Sequence, residues 1–303
     1  MAGESRKSSL KTGSPPAVER ALTILEELAR SKRGLRLPEV SLRLGIPKSS
    51  THSLLVALER RGYLHRNDRT GRYLFGSRIL TLANAALCGM TLREVAHPVL
   101  AGLVRTTGLA CKMAILDRDQ ALLVEQVHPP HVLTPMTWLG KHLELHCTAL
   151  GKALAASQPG QEWNRMVTEY KLARHNDATI CSPRRLVKEL AVTRERGYAF
   201  DNEEFDIGMR CVAVPVFTAV DESVAAIGVC GTTSEIDELR LDALVRMLKT
   251  AAARIGDAVG SLAETAAAKD SPCEIFLTRS DLPAQDPAAA VYGQPVNPMG
   301  PRN

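Results

Sequence analysis

The sequence predicts an α+β chain of two modules: a winged helix-turn-helix, a linker helix, and an α/β domain in which an antiparallel sheet is flanked by helices. Three observations predict it. The stretch LPEVSLRLGIPKSSTHSLLVALERRGYLHRNDRTGRYLFG (37–76) reads as helix, tight turn, helix and hairpin. Residues 1–78 hold 16 Lys and Arg against 7 Asp and Glu, the remainder 22 against 26, within a chain of 303 residues and net charge +5. The rest of the chain mixes strand and helix periods. A basic module joined to a mildly acidic one is expected where only the first meets a polyanion.

Residues 1–16 are polar, with Arg6, Lys7 and Lys11 ahead of Pro15 and Pro16, and are expected to form a disordered basic arm. An amphipathic helix follows over 18–30, with Leu22, Leu25, Leu28 and Ala29 expected inward. Pro38 suits the first turn of the next helix, Val40, Leu42 and Leu44 give it apolar positions, and Gly45 ends it. Gly45 and Ile46 supply the turn and Pro47 pre-sets the second helix. Thr51, Leu54, Leu55 and Leu58 share one of its faces at three- and four-residue spacing. The other face carries Lys48, Ser49, Ser50, His52 and Ser53 near the helix N-terminus, short donors and one cation where a recognition helix meets base edges and phosphates. Gly62 closes the helix. YLHR and RYLF alternate as strands around the turn NDRTG, and Arg66, Arg69 and Arg72 on this hairpin suit a wing that reaches phosphates or a minor groove.

Between 77 and 90, Ile79, Leu80, Leu82, Ala83, Ala86 and Leu87 make a helix too apolar to stand alone in water, so it is expected to pack against a second subunit as well as its own domain. A further helix over 92–107 bridges to the second module. Strand-like runs follow at CKMAILD, ALLVEQV, HVLTPMTWL, RCVAVPVF and VAAIGVCG. Ser182 and Pro183 start a helix that Gly197 ends. Ser234 precedes a long last helix with Leu239, Leu244, Met247 and Leu248 inward. The domain ranges expected are 1–16 basic arm, 17–77 winged helix-turn-helix, 78–91 linker helix, 92–265 second domain, and 266–303 a disordered tail rich in Pro, Ala and Gly.

AVERALTILEELA, LRLGIPKSSTHSLLVALERRGYL and TGRYLFG resemble the DNA-binding domain of the IclR family of bacterial transcriptional regulators. LREVAHPVLAGL, HCTALGKALAA, ERGYAFDNEEFDIGMRCVAVPVF and VAAIGVCG resemble that family's effector-binding domain, in the family's order over about residues 17 to 262. The resemblance implies a GAF-like sensor fold, dimers or dimers of dimers, and a small-molecule effector. It places the pocket wall at Leu143, Ala149, Leu150, Asp201, Met209, Cys211, Gly228 and Cys230. Apolar walls with a few convergent polar groups suit such a pocket. Each of these residues also has a structural reading, Asp201 as a turn or cap residue and Cys211 as a core filler. Where relatives that bind small keto acids carry hydroxyls on the last strand, this chain has Gly228 and Cys230. A larger or less polar organic acid is therefore expected. Thr51 and Ser53 stand where the family more often has an apolar residue and an arginine, so operator sequence does not transfer.

Other chemistries fit less well. His142 and His146 are four apart, but Glu144 sits one residue late for a zinc-protease helix. His142, His146, Cys147, Cys181 and Cys211 lack the close paired spacing of structural zinc. A nucleophilic Cys147 or Cys211 lacks a well-placed base, and no phosphate loop, dinucleotide fingerprint or GxSxG elbow occurs. No cofactor and no enzymatic activity are expected. Seven cysteines without paired spacing, no apolar leader and no apolar run of about 18 residues point to the cytoplasm and no membrane. The expected partner is double-stranded DNA with a roughly palindromic operator, read by a homodimer. The competing class is a sequence-non-specific, architectural DNA binder whose second domain serves only assembly.

Overall fold

The computed structural model describes residues 16–88, 90–130, 137–169, 172–219 and 222–267. The arm, the tail and most of HVLTPMTWL lie outside these residues; Thr137 and Trp138, at the end of that run, are not in a strand. The chain divides into two compact units, Met1–Glu94 and Val95–Asn303.

The first unit runs α1 (Pro16–Ala29), β1 (Leu35–Arg36), α2 (Leu37–Leu44), α3 (Lys48–Arg60), β2 (Leu64–Asn67), β3 (Arg72–Phe75) and α4 (Ser77–Cys88). Ile24, Leu28, Leu35, Val40, Leu55, Leu64 and Tyr73 form its core, with Leu25, Leu37, Leu44, Leu54 and Leu58 packed around them. Burying each large aliphatic side chain stabilises the unit by about 1.5–3 kcal/mol. Three details differ from the sequence reading. In α1 the inward pair is Ile24 and Leu28, while Leu22 is half exposed and Ala29 exposed, because Leu22 sits two residues, or about 200°, from Ile24. Leu42 lies on the outer side of α2 at 84% exposure for the same reason relative to Val40 and Leu44. The wing is a three-stranded sheet, order β1-β3-β2, since the two residues before α2 pair with β3 as Leu35↔Tyr73 and Arg36↔Arg72. A two-residue strand carries no alternation to read.

Helix α4 buries none of its residues, so the packing expected of it against its own domain is not found among the described residues: its apolar positions are spread around the helix and gather no inward stripe. Leu80 is 74% exposed and Leu82 47%.

The second unit begins within α5 (Thr91–Thr107) and continues β4 (Ala110–Asp117), β5 (Gln120–Val127), β6 (His142–Leu143), α6 (Ala149–Ser157), α7 (Gly160–Glu169), α8 (Pro183–Arg196), β7 (Ala199–Asn202), β8 (Met209–Phe217), β9 (Ser223–Thr232) and α9 (Glu238–Ala267). Its six strands make one antiparallel sheet, order β6-β5-β4-β9-β8-β7. α6 lies on one face. Ala149, Leu150, Ala153 and Leu154 share a core cluster there with Ala114, Ala199, Ala213 and Ala226 of the sheet, and with Leu186 and Leu190 of α8. Small side chains on strands and helix let the two approach closely. The alternate residues, Val212 and Val214 on β8 and Ile227 and Val229 on β9, fall on the opposite face, and α9 packs against the same two strands.

The expected helix after Ser182 is α8, started by Pro183 and ended by Gly197 in the left-handed region at φ 74°. The last helix starts at Glu238 rather than Glu235, which leaves Leu239 in its first turn at 90% exposure, while Leu244 and Leu248 go inward as expected. No single described helix is long and apolar enough to cross a membrane.

Candidate functional site

The first candidate surface is the α2–turn–α3 segment with its wing. Arg36 N–H donates to the Glu39 carboxylate at 2.6 Å, fixing the entry to α2. Gly45 ends α2 with φ 64°, a conformation that suits glycine, and its N–H bonds back to Leu42. The Ser41 hydroxyl donates to the Ile46 carbonyl at 2.7 Å, holding the turn. α3 then starts after Pro47 with no side-chain cap and no acidic residue in its first turn, so its N-terminus is electropositive and open to a phosphate. Lys48, Ser49, His52 and Ser53 are exposed and Ser50 is half-buried, while Thr51 is fully buried beneath them. Ser53 donates its hydroxyl proton to the Ser49 carbonyl at 3.2 Å, leaving its oxygen as an acceptor.

On the wing, Asn67 Oδ1 accepts from the Thr70 N–H and hydroxyl, and Arg36 Nε donates to the Thr70 carbonyl at 3.0 Å, which ties the tip to the body. Arg66 and Arg69 are exposed. Arg72, expected with them, is turned inward. Its guanidinium donates to the Gly34 carbonyl at 2.8 Å and to Glu39 at 3.1 Å, so it braces the wing against α2 instead of extending it. The reason is register: Arg72 opposes Arg36 beside the start of α2, where Glu39 waits.

The second candidate lies on the α6 side of the larger sheet. Direct cross-strand pairs Asp201↔Cys211 and Cys211↔Cys230, with Cys230↔Ala110, set four strands in one row. The next row is Ala199, Ala213, Gly228 and Lys112. Met209 falls on the same face of β8 by alternation. Leu143, Ala149 and Leu150 belong to the apolar cluster against which Cys211 packs. The positions expected from the sequence are therefore gathered on one side of one sheet. A Cβ on Gly228 would lie 2.6 Å from the Val212 carbonyl and 3.0 Å from the Ala213 Cβ, so this strand admits no hydroxyl side chain at 228 without moving its neighbour.

Two polar residues of this face escaped the sequence reading. Lys112 reaches Cys230 with a side-chain hydrogen bond; burial acts to lower its pKa, but the Cys230 and Cys211 sulfurs outweigh that and hold it above the ordinary lysine value. His128, just beyond β5, has both ring nitrogens buried without a hydrogen-bond partner among the described residues, and burial with the nearby Lys112 charge pushes its pKa down. A lysine one residue into CKMAILD interrupts an otherwise apolar run that ends only at Asp117, and that was the available signal for Lys112.

Asp201 is 5% exposed and accepts the Glu204 N–H at 2.8 Å. Burial, reinforced by the Glu204 charge, pushes its pKa up to about 7 from 3.8 despite that bond and Lys152. The folded value lies above the unfolded one, so the stability this group contributes is full at low pH and is lost as pH rises through 7. Asp201→Asn should therefore gain stability relative to the parent between pH 5 and pH 8, with about 3 kcal/mol as the ceiling, since part of the effect is already spent between 3.8 and pH 5. Urea unfolding of both proteins at the two pH values checks it, and a difference that shrinks with pH contradicts it.

Glu144, His146 and Cys147 bring carboxylate, imidazole and thiol atoms within 4.8 Å of one another, a grouping that fixed motif spacing had passed over. These donors are already engaged. His146 Nε2 bonds the Ala173 carbonyl at 2.9 Å, and Glu144 accepts from His175 at 2.9 Å and from the Cys147 thiol at 3.4 Å. Burial and the adjacent Glu144 charge drive the Cys147 thiol far above its ordinary pKa, which makes it a poor nucleophile. Cys211 is likewise held as a thiol, first by its hydrogen bond to Cys230. An open groove of about 570 Å³ lies elsewhere, between α5 and α9, lined by Pro98, Arg105, Arg246 and Arg254 among others.

A winged helix-turn-helix with an open recognition-helix N-terminus, followed in the same chain by an antiparallel sensor-type domain, is the build of a transcriptional regulator. Residues 17–68 match the IclR helix-turn-helix domain and residues 84–257 match the bacterial transcriptional regulator IclR C-terminal domain. The chain belongs to the IclR family of bacterial transcriptional regulators. It is 30% identical over 253 residues to the transcriptional repressor IclR of Escherichia coli (strain K12), covering 83% of this chain and 92% of that one. A crystal structure of the Alicyclobacillus acidocaldarius IclR transcriptional regulator superposes with a TM-score of 0.71 at 26% identity, covering 80% and 98% of the two chains. An IclR homolog of Microbacterium hydrocarbonoxydans, crystallised in complex with 4-hydroxybenzoate, shares the fold with a TM-score of 0.68 at 20% identity over 79% and 97%.

Proposed function

We propose that this regulator binds a roughly palindromic duplex operator as a homodimer and that a small organic acid in the second domain changes its operator affinity. The observation that carries the DNA reading is the uncapped N-terminus of α3, with exposed Lys48, Ser49, His52 and Ser53, beside a wing that presents Arg66 and Arg69. Ser50 lies at its margin. The bare apolar helix α4 supports pairing, since a helix that buries nothing in its own unit stands in need of a second copy. The functional ranges proposed are 17–77 for the DNA module, 78–91 for the linker and 92–265 for the effector domain. Against the competing architectural reading stands the gathering of Asp201, Cys211 and Cys230 in one row, with Lys112 in the next, on one face of the second unit's sheet.

For the effector, Leu143, Ala149, Leu150 and Met209 supply apolar wall, Gly228 lets β8 and β9 approach closely without adding a hydroxyl, and Lys112 with His128 supplies donors for a carboxylate. That balance favours an aromatic or sugar-derived acid over a small keto acid. The protein should bind 4-hydroxybenzoate or a related aromatic acid, with a change in operator affinity of about 5- to 150-fold. Calorimetry and DNA-binding titrations, with glyoxylate and pyruvate alongside, test this. Tight binding of the keto acids with none of the aromatic acids overturns it. Ligand binding in the cell interior follows for a regulator of DNA, and no enzymatic step is required.

A further inference from the structure

The sulfurs of Cys211 and Cys230 lie 2.8 Å apart on neighbouring strands, as a direct Cα pair of the antiparallel β8–β9 ladder. Facing residues of such a ladder have Cα atoms about 4.5–5.5 Å apart, inside the range a disulfide needs, so the bond can close without moving either strand. Both side chains are partly exposed. We propose that Cys211 and Cys230 are a reversible dithiol–disulfide pair, oxidised by hydroperoxides, set into the ligand-facing side of the sensor sheet. The consequence for ligand binding rests on the effector reading above; the pair itself does not.

The surroundings divide the labour between the two sulfurs. The Cys211 thiol donates to Cys230, and Lys112 donates to the same sulfur from β4; these two contacts lower the Cys230 pKa to about 6 against its burial. Cys211 faces Asp201 across β7 and is held protonated. Because Lys112 on β4, opposite Gly228, reaches Cys230 while the Asp201 carboxyl stands opposite Cys211 on β7, Cys230 is assigned the attacking role and Cys211 the resolving one. The buried Cys111, on the opposite face, has its thiol pushed up to about 12 and takes no part. In the first step the Cys230 thiolate attacks the hydroperoxide, forming the S–OH bond and breaking O–O, and the alkoxide leaves and takes a proton from solvent. In the second, Cys211 sulfur attacks the sulfenic sulfur, the S–O bond breaks, and the departing hydroxide takes the Cys211 proton as water. The two thiols lose two electrons and the peroxide gains them, giving an alcohol and water. Bridging removes the negative sulfur that neutralises Lys112, leaving Asp206 as its remaining negative neighbour, so the oxidised face offers an acidic ligand a less compensated ammonium.

The test treats the reduced full-length protein with one equivalent of hydrogen peroxide and maps its peptides after alkylation. The expected product is a linked Cys211–Cys230 peptide, reversed by dithiothreitol and absent from Cys211→Ser and Cys230→Ser. Lys112→Met, with the fold checked by circular dichroism, should form it at least tenfold more slowly at pH 7. Oxidation confined to Cys88 and Cys181 with the pair still alkylatable overturns the proposal, as does a linked peptide whose rate ignores Lys112. Titration of both forms with 4-hydroxybenzoate separates the two readings. A linked peptide with no ligand bound by either form leaves the redox pair standing and removes the effector reading, and ligand binding without a linked peptide does the reverse.

Discussion

Replacing Lys152 with methionine will destabilise the effector domain by about 3–5 kcal/mol, the cost typical of breaking a buried pair from one side. Lys152 lies in the middle of α6 with no exposed surface. Its ammonium donates to the Phe200 carbonyl and to Glu204 Oε1, both at 2.5 Å, and Glu189 lies 3.5 Å away. A lysine is tolerated there because its three donors meet a carbonyl and two carboxylates. Glu204 is 8% exposed and burial already raises its pKa above the ordinary carboxylate value despite Lys152. Without the ammonium it must either ionise unpaired or take up a proton. The loss should therefore be largest near pH 8 and smaller near pH 5. Lys152→Met/Glu204→Gln should recover much of it. Urea unfolding of the three variants reads this directly, and equal losses in the single and double variants would contradict it. Lys152 also positions β7 through Phe200, next to Asp201, so the single variant should weaken ligand binding as well.

The second large effect is at the DNA surface. His52→Ala should relax sequence preference and cost about 1–3 kcal/mol per half-site, counted twice in a dimer. Arg69→Ala should weaken all duplexes alike and make the salt dependence shallower by about one unit of slope per half-site. Arg72→Ala is the control that the structure singles out. It releases the wing from Glu39 and Gly34 and should reduce stability while leaving the salt slope of the remaining folded protein unchanged. Fluorescence anisotropy over a range of salt separates these three behaviours. A slope change for Arg72→Ala equal to that of Arg69→Ala would put Arg72 back among the phosphate contacts.

Much of the architecture was legible because it is written in punctuation and period. Gly45 and Pro47 bracket the turn, Asn67 and Gly71 make the wing tip, and Ser182, Pro183 and Gly197 bound α8. The apolar strands announced themselves by runs of Val, Ile, Leu and Ala. What escaped was short or contextual. β1 and β6 have two residues each, too few for alternation, and Leu22 and Leu239 were placed inward on hydrophobicity when their places in the helices turn them out. Of the proposed effector site, Asp201, Cys211 and Cys230 came from resemblance; that they form one cross-strand row depends on register, which no local pattern states. Lys112, in the next row on β4, and His128, just beyond β5, lie on the same face and far from that row in sequence. Arg72 shows the opposite limit: a charged wing residue reads as a DNA contact until its partner Glu39, 33 residues away, is seen beside it.

The most direct test is selection by the full-length protein from a pool of random duplexes at low ionic strength. The account predicts enrichment of a two-fold symmetric sequence with half-sites about 10 base pairs apart or a multiple of that, lost in the His52→Ala variant. Retention of duplexes without any enriched sequence, or no retention at all, would contradict it.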